Sequence, residues 1–63
     1  MIAFTGAAGF EIWINALEVN AVRVPLPKEF DQDVQTVIFA GSHKFGVCEN
    51  IEFVVARIKE ELE

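Results

Sequence analysis

Alternation of apolar and polar residues predicts two short strands at the start of the chain. Residues 2–5 and 10–14 each alternate with the two-residue period of a strand, and Gly6 and Gly9 lie between them, where a tight turn favours glycine. Three apolar side chains of the second segment share one face: Phe10, Ile12 and Ile14. Trp13 therefore points to the opposite face, away from the predicted core.

A third extended segment covers residues 17–26, after Asn15 breaks the alternation. Its apolar phase changes near residues 21–22, which predicts a β-bulge. Residues 25–33 then form the longest connection, and its two prolines cannot donate to a strand ladder. Connections of this length are often functional or interfacial, and Phe30 is the only aromatic residue in this one.

The following segment predicts a β-hairpin. Residues 37–40 are apolar at every position, which is typical of a strand that is buried on both faces. Residues 41–43 turn the chain, and residues 44–48 return it. Because both faces of the first hairpin strand are apolar, each face needs a covering layer.

The last part of the chain predicts one amphipathic helix. Asn50 is a favourable N-cap residue, and Glu52 in the first turn complements the helix dipole. At about 100° per residue, five apolar side chains fall on one stripe: Ile51, Val54, Val55, Ile58 and Leu62. Phe53 projects about 200° from Ile51, on the side opposite that stripe.

Together these elements predict a single α+β domain over residues 1–63. We expect a small curved antiparallel sheet of four or five strands and one C-terminal amphipathic helix. One helix covers only one face of such a sheet, so the other face is expected to contact a second copy of the chain or an unidentified protein partner. Five apolar residues are the candidates for that contact: Trp13, Phe30, Val37, Phe39 and Phe53.

Composition also favours assembly. Hydrophobic residues make up 52% of the 63 positions, more than the interior of so short a chain readily accommodates. The single cysteine excludes an intrachain disulfide, and one cysteine with one histidine is too few for a structural zinc site. Oligomerisation is the remaining route by which small domains gain stability.

The net charge of −5 disfavours nucleic acid as a partner, and also an anionic membrane held by a basic patch. The N-terminus lacks the basic region of a signal peptide, and Glu11 interrupts the first apolar run before it reaches a spanning length. We therefore expect a cytoplasmic protein with no membrane partner.

Two motifs resemble catalytic or binding elements. Residues 6–9, Gly-Ala-Ala-Gly, are the nearest approach to a phosphate loop, but no Lys-Ser/Thr pair follows and no helix begins there, so a hairpin turn is favoured. His43 and Cys48 offer a nucleophile pair or half of a metal site. The spacing fixes no third group beside them, so an exposed turn histidine and a buried thiol are favoured.

Two further groups of residues resemble binding elements, and for each a simpler structural role is favoured. Alternate carboxylates in the long connection are one ingredient of a calcium loop: Glu29, Asp31 and Asp33. The other ligand positions are missing, which favours a solvated acidic loop. Trp13, Arg23 and Lys28 offer a stacking and basic platform for single-stranded nucleic acid, but acids outnumber bases ten to five, so packing of Trp13 in the core or an interface is favoured.

A set of residues distributed over most of the chain matches a known pattern: Met1, Ile2, Thr5, Gly9, residues 14–16, Thr36, Gly41, Val47, Glu49, Glu52 and Val55. In this order they resemble the short FlbD-type family associated with bacterial flagella and swarming motility. The resemblance implies a small accessory or regulatory protein that is not an enzyme and acts by binding others. It carries over no functional residues and no cofactor.

The function expected from the sequence is that of a non-catalytic, homo-oligomeric interaction or accessory module without a cofactor. The resemblance adds motility as a pathway. Two alternatives stay open: a small nucleic-acid-binding regulator, and an enzyme whose site is shared between subunits.

Overall fold

The structure, a computed structural model, describes all of residues 1–63. It contains five strands and one α-helix: β1 (Ile2–Thr5), β2 (Glu11–Ile14), β3 (Val19–Arg23), β4 (Thr36–Ala40), β5 (His43–Val47) and α1 (Ile51–Leu62). The α+β class with antiparallel strands and one C-terminal helix is confirmed. The strands form two sheets, a β1–β2 pair and a three-stranded β3–β4–β5 sheet, where the sequence predicted one.

The two sheets approach each other at one end. Gly6, just after β1, forms an antiparallel bridge with Val47 of β5. The Thr5 carbonyl oxygen accepts a hydrogen bond from the Cys48 backbone N–H at 2.7 Å, and both Glu49 carboxylate oxygens accept from the Thr5 backbone N–H at 3.0 Å. These contacts hold the β1–β2 pair against the larger sheet, so that both sheets border a shared core.

The main core lies between the two sheets and α1. Nine buried apolar residues form it: Ile2, Phe4, Ile14, Ala16, Ile38, Ala40, Val47, Val54 and Ile58. The even-numbered residues of β1 and β2 point inward, since Ile2 pairs with Ile14 and Phe4 pairs with Ile12 in the ladder. The alternation of the sequence therefore sets which faces of these strands are buried.

Strand β3 is shorter than residues 17–26, so both predicted boundaries are wrong. The Asn15 side-chain oxygen accepts from the Leu17 backbone N–H at 3.1 Å and caps a 3₁₀ turn, Ala16–Glu18. An asparagine side chain that bonds its own backbone competes with extended structure, which delays the strand until Val19. The strand does contain an irregularity, but the register shift lies between Val19 and Ala21 against β4, slightly before the predicted position near residues 21–22.

Strand β4 is buried on both faces inside one chain, as its composition predicted. Val37 and Ile38 point to opposite faces, and each is 0% exposed. The face that turns away from α1 is partly covered by the long connection after β3. A Cβ atom on Gly46 would lie 2.8 Å from a Phe30 ring carbon and 3.0 Å from a Val34 methyl carbon. The chain's own connection therefore covers part of the face that was expected to need a second molecule.

Helix α1 begins where the sequence predicted, because the Asn50 side-chain oxygen accepts from the Phe53 backbone N–H at 2.8 Å. Its apolar stripe is covered unevenly. Val54 and Ile58 are buried, whereas Val55 is only half-buried and Leu62 is 52% exposed. At about 100° per residue, the buried side is rotated by roughly 40° from the centre of the predicted stripe. One flank of the stripe therefore remains at the surface.

Candidate functional site

An open groove of about 390 Å³ follows the uncovered flank of α1. Five residues line it, and we call it the helix-flank groove: Ile51, Glu52, Val55, Ala56 and Lys59. Its floor is apolar, while Glu52 and Lys59 place one negative and one positive charge at separate levels along the helix. A floor of this kind with charges at its two ends suits another helix better than a small polar ligand.

A second cleft, which we call the aromatic cleft, has a volume of about 230 Å³ and lies between the β1–β2 pair and the β4–β5 hairpin. Trp13, His43 and Phe45 are among its lining residues. The His43 and Phe45 rings stack with centroids 5.9 Å apart, and the Trp13 Nε1–H donates to the Glu11 carboxylate at 2.8 Å. Trp13 itself is 56% exposed. The cleft presents aromatic surface that fits an apolar side chain of a partner.

The main electrostatic feature of the molecule is the Glu29 carboxylate in the long connection. It accepts from Arg23 Nη1 and Nη2 at 2.7 and 2.6 Å, from the Leu26 backbone N–H at 3.0 Å and from Lys44 Nζ at 3.1 Å. These bonds, that from Arg23 first, hold the pKa of the Glu29 carboxyl well below its ordinary value of 4.5. The same pair raises the pKa of the Arg23 guanidinium. Glu29 thereby anchors the connection to β3 and β5.

Because Glu29 binds two basic side chains, it reduces the positive surface available for nucleic acid. Lys44 also lies over the Phe30 ring at 5.6 Å, and Arg23 lies over the Phe39 ring at 5.3 Å. On the helix, Arg57 pairs with Glu60 at 3.0 Å. Three of the five basic residues therefore have an acidic partner within the chain.

His43 begins β5 and Cys48 directly follows its last residue, so a rise of about 16 Å of extended chain separates them. The Cys48 thiol donates to the Gly6 carbonyl oxygen at 3.4 Å and approaches an Asp33 carboxylate oxygen at 3.6 Å. Burial, and then the negative charge of Asp33, raises the pKa of this thiol. A thiol with a raised pKa is mostly protonated at neutral pH and is therefore a weak nucleophile.

The carboxylates of the long connection do not converge. Glu29 faces Arg23 and Lys44, whereas Asp33 lies beside Cys48. No three His, Cys, Asp or Glu side chains in the chain come together in a way that would hold a metal ion. At the other turn, a 3₁₀ turn covers Ala7–Gly9, with Ala8 at φ +60° and Gly9 at φ +82°, and the chain continues into β2 rather than into a helix.

The five predicted contact residues occupy three kinds of position. Trp13 and Phe53 are exposed, at 56% and 49%. Phe30 and Phe39 are half-buried beside Lys44 and Arg23, respectively. Val37 is 0% exposed, so including it among the surface candidates was wrong: Arg23, Gly46 and the connection around Phe30 close that face within the chain. Trp13 lines the aromatic cleft, whereas Phe53 lies outside the helix-flank groove.

Sequence reasoning missed two features that the structure makes prominent. Gly46 was interpreted only as part of the returning strand, although a Cβ atom there would lie 2.8 Å from a Phe30 ring carbon and would force the connection to shift. Glu52 was interpreted only as a complement to the helix dipole, and Lys59 was assigned no role. Their spacing of seven residues, which places them on one side of a helix, was a signal present in the sequence.

Comparison of the chain with protein-family models, with curated protein sequences and with solved structures finds no match in any of the three. No helix in the chain has both the length and the apolar character needed to cross a membrane.

Proposed function

We propose that this protein is a non-catalytic interaction module that works as a homo-oligomer in the cytoplasm and binds at least one other protein. The observation that carries the proposal is the uncovered flank of α1. Its apolar residues Val55 and Leu62 belong to the stripe that a lone helix normally buries, yet they remain half-buried or exposed. An amphipathic helix with part of its apolar stripe at the surface is suited to contact a further apolar surface.

The arrangement of polar groups also favours binding over catalysis. An enzyme of the shared-site kind would use His43, Cys48 or paired carboxylates in a common cleft. His43 and Cys48 lie at opposite ends of β5, and the raised pKa of the Cys48 thiol opposes nucleophilic chemistry. The nucleic-acid alternative is disfavoured because Glu29 holds both Arg23 and Lys44.

The aromatic cleft beside Trp13 is the surface we assign to a protein partner, since it lies apart from the helix-flank groove and stays open when that groove is filled. The resemblance to the short FlbD-type family suggests motility as the pathway. Deletion of the protein in its own organism should then impair swarming, and the Trp13→Ala variant should fail to restore it.

Light scattering tests the assembly directly. At micromolar concentration, the purified chain should show at least twice the 7.0 kDa mass of one copy. The double variant His43→Gln with Cys48→Ser serves as a matched control and should assemble like the wild type. A wild-type monomer would overturn the homo-oligomer. Metal bound to the wild type and lost in the double variant would instead support the enzyme with a site shared between subunits.

A further inference from the structure

The two charges of the helix-flank groove are placed so that a second copy of the same helix, related by a two-fold axis, would complement them. Glu52 and Lys59 lie seven residues apart on one side of α1, about 10.5 Å along its axis. The midpoint between them falls between Val55 and Ala56. A two-fold axis through that point, perpendicular to the helix, brings Glu52 of one copy to the level of Lys59 of the other.

We infer that two copies of this chain pair through the helix-flank groove, with their α1 helices antiparallel. This inference rests on the proposed homo-oligomer and names its contact surface. In such a pair the same patch is used twice, so Glu52 faces Lys59 of the second copy, and Lys59 faces Glu52. A parallel arrangement would place like charges opposite each other, which disfavours it.

Side-chain size at the centre of the groove agrees with the antiparallel pair. The same axis places Val55 of one copy opposite Ala56 of the other, so that a large apolar side chain meets a small one on both sides of the axis. Ile51 extends the apolar floor toward one end of each helix. Large-to-small packing of this kind allows two helix axes to approach closely.

The charged residues of the groove are free to make these contacts. Neither Glu52 nor Lys59 forms a salt bridge within the chain, and both side chains are exposed. The other basic residue of the helix, Arg57, already pairs with Glu60. The charges that face outward from the groove are therefore the two that are complementary under the two-fold axis.

Charge reversal tests the pairing. Glu52→Lys places two lysines opposite each other twice per dimer, and Lys59→Glu does the same with two glutamates. Each variant alone should dimerise about tenfold more weakly than the wild type, because two attractive pairs become two repulsive ones. Sedimentation equilibrium measures the dissociation constants, and the charge-matched control Glu60→Lys, which lies outside the groove, should leave the dimer unchanged.

Mixing separates this pairing from a general loss of stability. A Glu52→Lys chain carries two positive groove residues and a Lys59→Glu chain carries two negative ones, so an equimolar mixture should form a heterodimer tighter than either homodimer. The double variant Glu52→Lys with Lys59→Glu should regain the wild-type constant. A wild-type dimer that neither single variant weakens would overturn the helix pairing and leave the homo-oligomer standing, whereas a wild-type monomer would overturn both.

Discussion

The two faces of strand β4 are covered by segments of very different character. On one face, Ile38 lies in the main core with Val54 and Ile58 of α1, so that regular secondary structure supplies the cover. On the other face, Val37 is closed off by an irregular connection in which Phe30 and Val34 pack over Gly46. At Val37 and Ile38 both faces exclude water, because each of these residues is 0% exposed.

The two layers differ in what holds them in place. Helix α1 is held by apolar contact with the core. The strength of such a contact depends on the apolar area that is buried and not on the placement of individual charges. The connection contributes little periodic apolar surface and is held by one carboxylate, that of Glu29, which binds Arg23, Lys44 and the Leu26 backbone N–H. A small domain can therefore cover a second sheet face with a loop, provided that a partly buried ion pair holds the loop in place and a glycine leaves space beneath it.

Truncation on the helix side should have the largest effect. Ile58 is 9% exposed and belongs to the main core, so Ile58→Ala should lower the free energy of unfolding by roughly 2 to 5 kcal/mol, through lost burial and a residual cavity. Urea denaturation measures the change. Leu62→Ala, at a position that is 52% exposed on the same helix, is the control and should cost much less. Equal costs at the two positions would show that α1 is turned differently on the core.

On the connection side, crowding at Gly46 should have a smaller effect. Gly46→Ala places a Cβ atom 2.8 Å from a Phe30 ring carbon and 3.0 Å from a Val34 methyl carbon, so the connection must shift, at a cost of about 1 to 3 kcal/mol. Denaturation of Gly46→Ala, Phe30→Ala and the double variant forms a mutant cycle. The Gly46→Ala cost should fall when Phe30 is truncated, whereas strict additivity would show that Phe30 does not lie over Gly46.

Lowering the pH should weaken the attachment of the connection to the sheet, because that attachment depends on the ionised Glu29 carboxylate. The pKa of the Glu29 carboxyl is lowered in the folded chain from its ordinary value of 4.5, so its contribution to stability is complete above that value and is lost as the pH falls below it. Glu29→Gln should therefore be less stable than the wild type at pH 7, and the difference should shrink below about pH 4.5.

Unfolding curves from pH 7 to about pH 3 measure that difference. Glu60→Gln is the control, since Glu60 belongs to an exposed helix pair with Arg57 and should change stability little at pH 7. A Glu29→Gln deficit that stays constant down to the lowest pH would mean that the hydrogen-bonded shape of the side chain matters, and its charge does not.

The elements with a clear period were predictable, and those held by contacts distant in sequence were not. The strand at residues 2–5 and the helix capped by Asn50 appear where periodicity and capping place them. The third strand begins later than predicted because the Asn15 side chain accepts a hydrogen bond from the Leu17 backbone N–H. This local bond competes with extended structure. The spacing of Glu52 and Lys59 was visible in the sequence, but the exposure of that side of α1 was not, because the rotation of the helix depends on what it packs against.

Local sequence patterns were enough to predict the α+β class, four or five antiparallel strands, the C-terminal helix and a strand that is buried on both faces. These follow from local rules, since alternation, capping and uniform apolarity act within a few residues of each other. Three features became visible only in the folded chain: the connection covers Val37, Glu29 anchors that connection, and Val55 stays half-buried in the helix-flank groove. These depend on groups many residues apart, such as Arg23, Glu29 and Lys44, which become neighbours only when the chain folds.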